Sequence, residues 1–387
     1  MPMMLSSSSK VMGVRRARAA VAQKRPVATC AATAASDGAQ AEKAKKTSEM
    51  SVAVFSASPY VRDFLESPLT EAFPNTTMID ARLSTATSPL AAGHEAVCLF
   101  VNDNGKSEII DIMADAGVKF IAMRCAGFDR IDLEAAERRG IKIARVPAYS
   151  PYAVAEHAVA LLQTLNRSTH VAHNRVKNGN FTLSGMVGMD LYGKTAGVIG
   201  TGKIGVCLLR ILNGFGMKLL CHDIAENPEA LALGAEYVTK EELMARSDVI
   251  SLHAPLLPST FHMINKEAID AMKPGAIIIN VARGGLIDTE ALIEGLKSGK
   301  VGGACMDVYE KEESLFFRDY SARSMDKRMT AMDNTFQLLD SYPNTLITPH
   351  SAFLTNEALA NIAQSTVANL LEFANGEDLT NESKVKK

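Results

Sequence analysis

Short apolar runs alternate with helix-period stretches along most of this chain. Ser51–Phe55, Ala96–Val101, Val118–Arg124 and Ile141–Val146 have the length and continuity of buried strands. Between them, Lys106–Ala116 and Leu133–Arg139 place apolar residues at helical spacing. The alternation resumes with Lys194–Gly200, Met217–His222, Asp248–His253, Ala276–Asn280 and Gly302–Val308, and a last short run, Leu346–Thr348, ends at Pro349. Strands apolar on both faces predict parallel sheets covered by helices on each side. The longest apolar run, AIIINVA at 276–282, has strand length and falls far short of the roughly 18 residues a bilayer requires, so no membrane span is predicted.

One strand-to-helix junction carries chemistry. Lys194–Gly200 leads into GTGKIG at 200–205, followed by a helix over Lys203–Phe215 with apolar Ile204, Leu208, Ile211 and Leu212. Gly200 permits a tight turn, Gly202 lets backbone approach a pyrophosphate, and Gly205 lets the helix pack on the strand. The phosphates would meet the positive helix end. The next strand ends in Asp223, 18 residues beyond Gly205, where a carboxylate accepts ribose hydroxyls and repels a 2′-phosphate. NAD is therefore the expected cofactor, in preference to NADP.

Composition narrows the class. The 387 residues suggest two domains, and 47 % hydrophobic with 22 % charged content is ordinary for a globular protein. Cys30, Cys98, Cys125, Cys207, Cys221 and Cys305 lie far apart with no CxxC pair, which suits reduced thiols better than a disulfide frame or a zinc site. No metal is expected. Residues 1–47 hold nine Lys/Arg against two acids, net +7, which leaves −9 on the remainder of a chain whose formal charge is −2. A body this acidic argues against general nucleic-acid binding. The basic, Ser/Ala-rich first 47 residues have no acid before Asp37 and read as a transit peptide, with a disordered leader of a cytosolic protein as the alternative. VATCAA at 27–32 favours a chloroplast destination; a basic amphipathic helix over Val11–Gln23 suits a mitochondrion as the alternative.

Three polar residues stand at element ends. Arg283 follows a strand and precedes Gly284-Gly285; Glu312 lies beyond the last long strand; His350 follows Thr348-Pro349 in LITPHSAF. Taken one by one, they read as well as a strand-end salt bridge, a solvated acidic loop and a turn histidine. Together they would supply a cation for a substrate acid, a carboxylate to orient an imidazole, and a proton donor for a developing alkoxide.

From about residue 50 to 375 the chain resembles the D-2-hydroxyacid dehydrogenase family, and within it the NAD-dependent D-lactate dehydrogenases of fermentative bacterial type. The stretches that carry the resemblance are MRCAGFDRIDLEAA (123–136), RVPAYSPYAVAEHAV (145–159), YGKTAGVIGTGKIGV (192–206), DVISLHAPLLPST (248–260), NVARGGLID (280–288), MDVYEKEESLFFRD (306–319) and NTLITPHSAFLTNEAL (344–359). The resemblance implies Arg283 as substrate binder, His350 as acid/base and Glu312 as its partner. It implies cofactor contacts at Gly200, Gly202, Lys203, Ile204, Gly205, Asp223, Ala254, Pro255, Thr260, Val281, Ala282, Arg283 and Asp307. It places Ala126 and Gly127 against the substrate carboxylate, with Tyr149 and Phe353 as candidate pocket walls. Lys203 stands where many relatives have histidine. Two Rossmann-like doubly wound parallel-sheet domains are implied, the catalytic one discontinuous: 48–148 with 347–387, flanking an NAD-binding domain at 149–346. Homo-oligomers, dimers or tetramers, are implied as well.

The activity implied is reduction of pyruvate to D-lactate. The rival readings are another 2-keto acid reductase, for glyoxylate or hydroxypyruvate, and a corepressor-like NAD-sensing binding protein. The segment Glu313–Tyr342 reads equally as a cover for the active site and as a charge-solvated helix.

Overall fold

The strands sort into two all-parallel sheets in the computed structural model, which describes residues 47–385. The leader expected over 1–47 and Cys30 lie outside the described residues, Thr47 apart. The first sheet takes β1 (Ser51–Val54), β2 (Asn75–Met78), β3 (Ala96–Leu99), β4 (Phe120–Met123) and β5 (Lys142–Arg145) in the order β2-β1-β3-β4-β5. The second takes β6 (Thr195–Ile199), β7 (Lys218–His222), β8 (Glu236–Tyr237), β9 (Val249–Leu252), β10 (Ala276–Asn280), β11 (Val301–Met306) and β12 (Thr345–Ile347) in the order β12-β11-β10-β9-β6-β7-β8. The chain thus folds as two doubly wound α/β layers. The apolar runs named from sequence are the strands of both sheets. β2 and β8 were not anticipated: NTTM and EY are polar, and each lies at a sheet edge where one side needs no apolar partner.

Each sheet is buried on both faces. Ile121, Met123, Val97 and Leu99 pack with Ile109, Ile110 and Met113 on one side of the first sheet. On its other side Val52, Val54, Phe120 and Ala122 meet Leu65 and Leu69, together with Ala363 and Leu370 from the long helix Asn356–Ala374. Phe120 and Phe373 stack at 4.5 Å with planes 6° apart. After its outermost strand in the second sheet the chain therefore returns to the first. Helix Pro151–Asn166, opened by the Ser150 cap and Pro151, covers the second sheet beside helix Lys203–Gly214.

Both sheets reverse strand order at an internal pair, β1/β3 in the first and β6/β9 in the second, and crevices for ligands form at such reversals. At the β6/β9 crevice the Gly200 turn presses on the backbone of His253, whose ring Nε2 lies 2.9 Å from Ser251 Oγ. Burial holds the His253 imidazole down to about 4. The unfolded chain takes up this proton below about 6.5, whereas the folded chain does not until about 4. Stability is therefore complete above the first value and lost as pH falls toward the second, by up to about tenfold in the unfolding constant per pH unit. Urea unfolding at pH 7, 6 and 5 should show a shallower acid loss for His253→Gln than for the parent; parallel losses would contradict this assignment.

Candidate active site

The glycine turn is shaped by close approaches. Gly200 has φ +94°, and a Cβ there would lie 2.6 Å from the carbonyl carbon of His253; a Cβ on Gly205 would lie 2.0 Å from the Gly200 oxygen. Only glycine permits both. Gly202, in contrast, faces open space. It caps helix Lys203–Gly214 without a side-chain acceptor, so the first turn of that helix presents N–H groups and its positive end to the cleft. A cavity of about 260 Å³ opens here, lined by Ala126, Tyr149, Gly202, Lys203, Ile204 and His253 among others. This cradle fits a dinucleotide: backbone donors, an open glycine and a helix end converge on one space.

Asp223 directly follows β7 beside this turn. Its Oδ2 accepts from Thr201 N (2.6 Å) and Thr201 Oγ1 (3.0 Å), and its Oδ1 from Ile224 N (2.7 Å). Tyr237 Oη donates to Thr201 Oγ1 (2.8 Å), and Asn227 Nδ2 to Thr201 O (2.8 Å). The carboxylate is thus preoriented by a network that keeps most of its acceptor capacity within the protein. Of the other residues implied for the cofactor, Val281 is buried, and Ala254 and Ala282 are partly buried against the core, so they offer backbone rather than side chain. Thr260 Oγ1 donates to Pro255 O (2.7 Å) and accepts from Leu257 N (2.8 Å), closing the 255–260 turn.

The His350 turn is built around Asp307, which is fully buried. Asp307 Oδ1 accepts from Ser351 N (2.8 Å) and Thr348 Oγ1, and its Oδ2 from Ala352 N (2.8 Å). His157 Nε2 lies 3.4 Å from Oδ1. Burial alone would raise the Asp307 carboxyl, but hydrogen bonds from His157, Thr348, Ser351 and Ala352 outweigh it and hold the group below its ordinary value. The resemblance implies a cofactor contact at Asp307; in the structure its carboxylate oxygens accept from the turn that carries His350. That turn needs holding, since His350 has φ +56°, a left-handed conformation costly for a non-glycine residue. His350 Nδ1 then lies 2.9 Å from Glu312 Oε1, each side chain only 14 % exposed. Glu312 is itself fixed, because Tyr309 N donates to its Oε2 (3.1 Å).

Arg283 approaches from the end of β10. Its Nη1 donates to Ala282 O (2.8 Å) and its Nε to Asp129 Oδ1 (3.2 Å). The guanidinium lies so close over Gly127 that a Cβ there would fall 1.7 Å from Nη2. Burial works against its charge, but the charge and hydrogen bond of Asp129, with Cys125 and Glu312 acting in the same sense, together raise the group above its ordinary value. The carbonyls of Ala126 and Gly127 accept from Arg145 Nη1 (2.6 Å) and Cys125 Sγ (3.2 Å), which sets the orientation of that turn. Phe353 and Tyr149 stand together, rings 6.3 Å apart.

The structure therefore brings Arg283, Glu312, His350, Gly127 and Tyr149 to one region. Other titratable groups there are poorly suited to carry a proton near neutrality: burial pushes the Tyr149 phenol and the Cys125 thiol each up to about 12. Among the described residues, Cys98, Cys125, Cys207, Cys221 and Cys305 are free and buried, no group of three His, Cys, Asp or Glu is placed to hold a metal, and no helix is long and apolar enough to cross a membrane. Sequence reasoning missed Asp129, which meets Arg283, and buried Asn280, whose Oδ1 accepts from Ala282 N (3.1 Å) and whose Nδ2 donates to Arg283 O (2.8 Å). An asparagine closing an apolar strand was the available signal for the second; nothing local marks the first.

Comparison with known proteins identifies the family. The family described as "D-isomer specific 2-hydroxyacid dehydrogenase, NAD binding domain" matches residues 159–352. D-lactate dehydrogenase of Escherichia coli is 48% identical over 334 residues, 86% of this chain and 99% of that protein. The structure of the pyruvate reductase of Chlamydomonas reinhardtii superposes with TM-score 0.82 at 47% identity, covering 87% of this chain and 99% of that one. D-Lactate dehydrogenase of Aquifex aeolicus, complexed with NAD and lactic acid, gives TM-score 0.76 at 34% identity over 87% of this chain and 100% of that one. The chain belongs to the D-isomer specific 2-hydroxyacid dehydrogenases, and is an NAD-dependent oxidoreductase.

Proposed function

We propose that the protein is an NAD-dependent D-lactate dehydrogenase that reduces pyruvate to D-lactate: pyruvate + NADH + H⁺ ⇌ D-lactate + NAD⁺. The observation that carries this reading is the His350–Glu312 pair at 2.9 Å, near enough to Arg283 for Glu312 to act on its charge. The dehydrogenases of E. coli and A. aeolicus and the reductase of C. reinhardtii support it. NADH supplies the hydride when bound. Glu312 holds Nδ1 of His350, which leaves Nε2 to give its proton to the substrate oxygen as negative charge develops there. Arg283 grips the substrate carboxylate with two parallel N–H groups and lowers the energy of the charged oxygen. The Ala126–Gly127 turn contributes backbone donors to the same carboxylate.

In this reading residues 48–148 and 347–387 form the catalytic domain and 149–346 the NAD-binding domain, so closure of one on the other completes the site and excludes water. His350→Ala should reduce kcat for pyruvate by at least about 10³-fold, on the scale of a lost acid/base group or more, while the NADH dissociation constant stays within about twofold. Normal turnover in that variant would refute the proton-carrier role. Steady-state rates across pyruvate, glyoxylate, hydroxypyruvate and larger 2-keto acids discriminate the pyruvate reading from other reductases, and negligible turnover with all of them would favour a binding protein.

Two further parts of the proposal stand apart from the chemistry. Residues 1–47 act as a chloroplast transit peptide, a reading that the basic, acid-poor composition and the algal relative support. Fused to a fluorescent protein they should direct it to plastids, and cytosolic fluorescence would rule this out. The subunit is a homo-oligomer, consistent with the exposed apolar side chains Val176, Phe181, Leu183, Val187 and Tyr192 in one segment. Sedimentation should then give a mass at least twice the chain's, and a monomer at micromolar concentration would exclude it.

A further inference from the structure

A 2-keto acid has three substituents in one plane at its reacting carbon: the oxygen, the carboxylate and the side chain. In the reading above, the oxygen meets His350 and Arg283, and the carboxylate meets Arg283 and the Ala126–Gly127 turn. Three rings cluster beside His350. Phe317 lies edge-on to Phe100, centroids 5.2 Å apart and planes at 85°, and 5.9 Å from the His350 ring. Phe353 lies 5.7 Å from Phe100. We propose that Phe317 sets substrate size, its ring closing this box to side chains much larger than a methyl group.

The three rings are not equally braced. Phe100 and Phe353 are buried, and Phe100 carries the guanidinium of buried Arg124 at 5.1 Å from its centroid, itself anchored to Phe55 O (2.6 Å) and Ser56 O (3.0 Å). Phe317 is 40 % exposed and has φ +61°, a left-handed backbone conformation that favours glycine. A phenylalanine persists there only if its surroundings hold it. They do so across the cleft. Arg130 Nη1 lies 3.1 Å from Glu313 Oε2, and Arg82 Nη1 donates to Glu313 O (3.0 Å), both arginines standing on the side of the first sheet. Leu315 and Phe316 are buried, and Tyr320 Oη donates to Ser314 O (2.8 Å). The Glu313–Phe317 segment is thus clamped by charge at one end and presents a ring to the reaction site at the other. A ring that is exposed on one side and backed by a releasable clamp is the wall most readily changed.

The assignment rests on the reductase reading, so the full-length parent is assayed first with pyruvate and with 4-methyl-2-oxopentanoate. Preference for pyruvate agrees with both; equal use of the two acids overturns the size filter and leaves the reductase reading standing; activity with neither overturns both. In Phe317→Gly, which removes the ring and suits the backbone angle, kcat/KM for the branched acid relative to pyruvate should rise by at least about tenfold. Phe317→Tyr should keep the parental preference, and Arg130→Gln should shift the ratio in the direction of the glycine variant. A merely structural role for Phe317 would depress both substrates alike. A ratio in Phe317→Gly within about twofold of the parent value therefore overturns the proposal.

Discussion

The site depends on one buried carboxylate. Asp307 gathers two backbone N–H groups and the Thr348 hydroxyl from the turn 348–352 and holds His350 in a left-handed conformation. A buried ionised group with these bonds is favourable only as a set; a hydrogen bond to such a charged group is worth about 1.5–3 kcal/mol. The expense secures direction. With the turn immobilised, the Nδ1 side of the imidazole meets Glu312, and the other nitrogen is left for the cleft. Glu312 is held in turn by the backbone of Tyr309, so orientation passes from a fully buried acid to a largely buried one through short, fixed bonds. Chemistry of this kind gains from donors set in place before substrate arrives.

The fold places these groups by a general property of parallel sheets. Strands that end together leave their carboxyl ends as one rim, and the rim opens where strand order reverses. In the second sheet that opening holds the glycine turn; in the first it holds Phe55–Ser58 and Phe100–Asp103, the latter drawn in by buried Asp103, which accepts from Phe100 N (2.7 Å) and Leu83 N (2.7 Å). Between the rims, consecutive residues of one loop reach across with opposite charge: Asp129 to Arg283 and Arg130 to Glu313. Each touches either an anchor of the site or the residue next to one, so the relative position of the two sheets and the geometry of the site are coupled.

Sequence alone carried the architecture far because its signals are local. Apolar runs such as AVCL and AIIIN are strands by composition, and GTGKIG announces its turn through glycines that steric contacts demand. Polar edge strands gave no such pattern, and NTTM passed unnoticed. The longer misses concern partners rather than elements. Asp129, Arg130 and Glu313 look like ordinary surface charges in a loop, and only the folded chain brings residues 154 positions apart into contact at Asp129 and Arg283. The bonds that Asp307 makes were likewise hidden, since the donors it gathers lie on a turn more than forty positions away. The segment after Glu312 was legible only as two alternatives; in the structure the Phe317 ring stands 5.9 Å from that of His350, while the helix Met325–Ala331 buries none of its residues.

The contact between Asp129 and Arg283 bears on how a substrate enters. The guanidinium already holds a carboxylate oxygen 3.2 Å from Nε, with Nη1 on the Ala282 carbonyl. In the proposed reading, an arriving keto acid meets an anchor whose plane has been chosen by a resident acid. Recognition becomes an exchange or sharing of like for like, in which the newcomer must match a slot cut to carboxylate shape. Selectivity for acids then comes from fit to that slot as much as from attraction, and the arginine has little left to rearrange when the reaction begins.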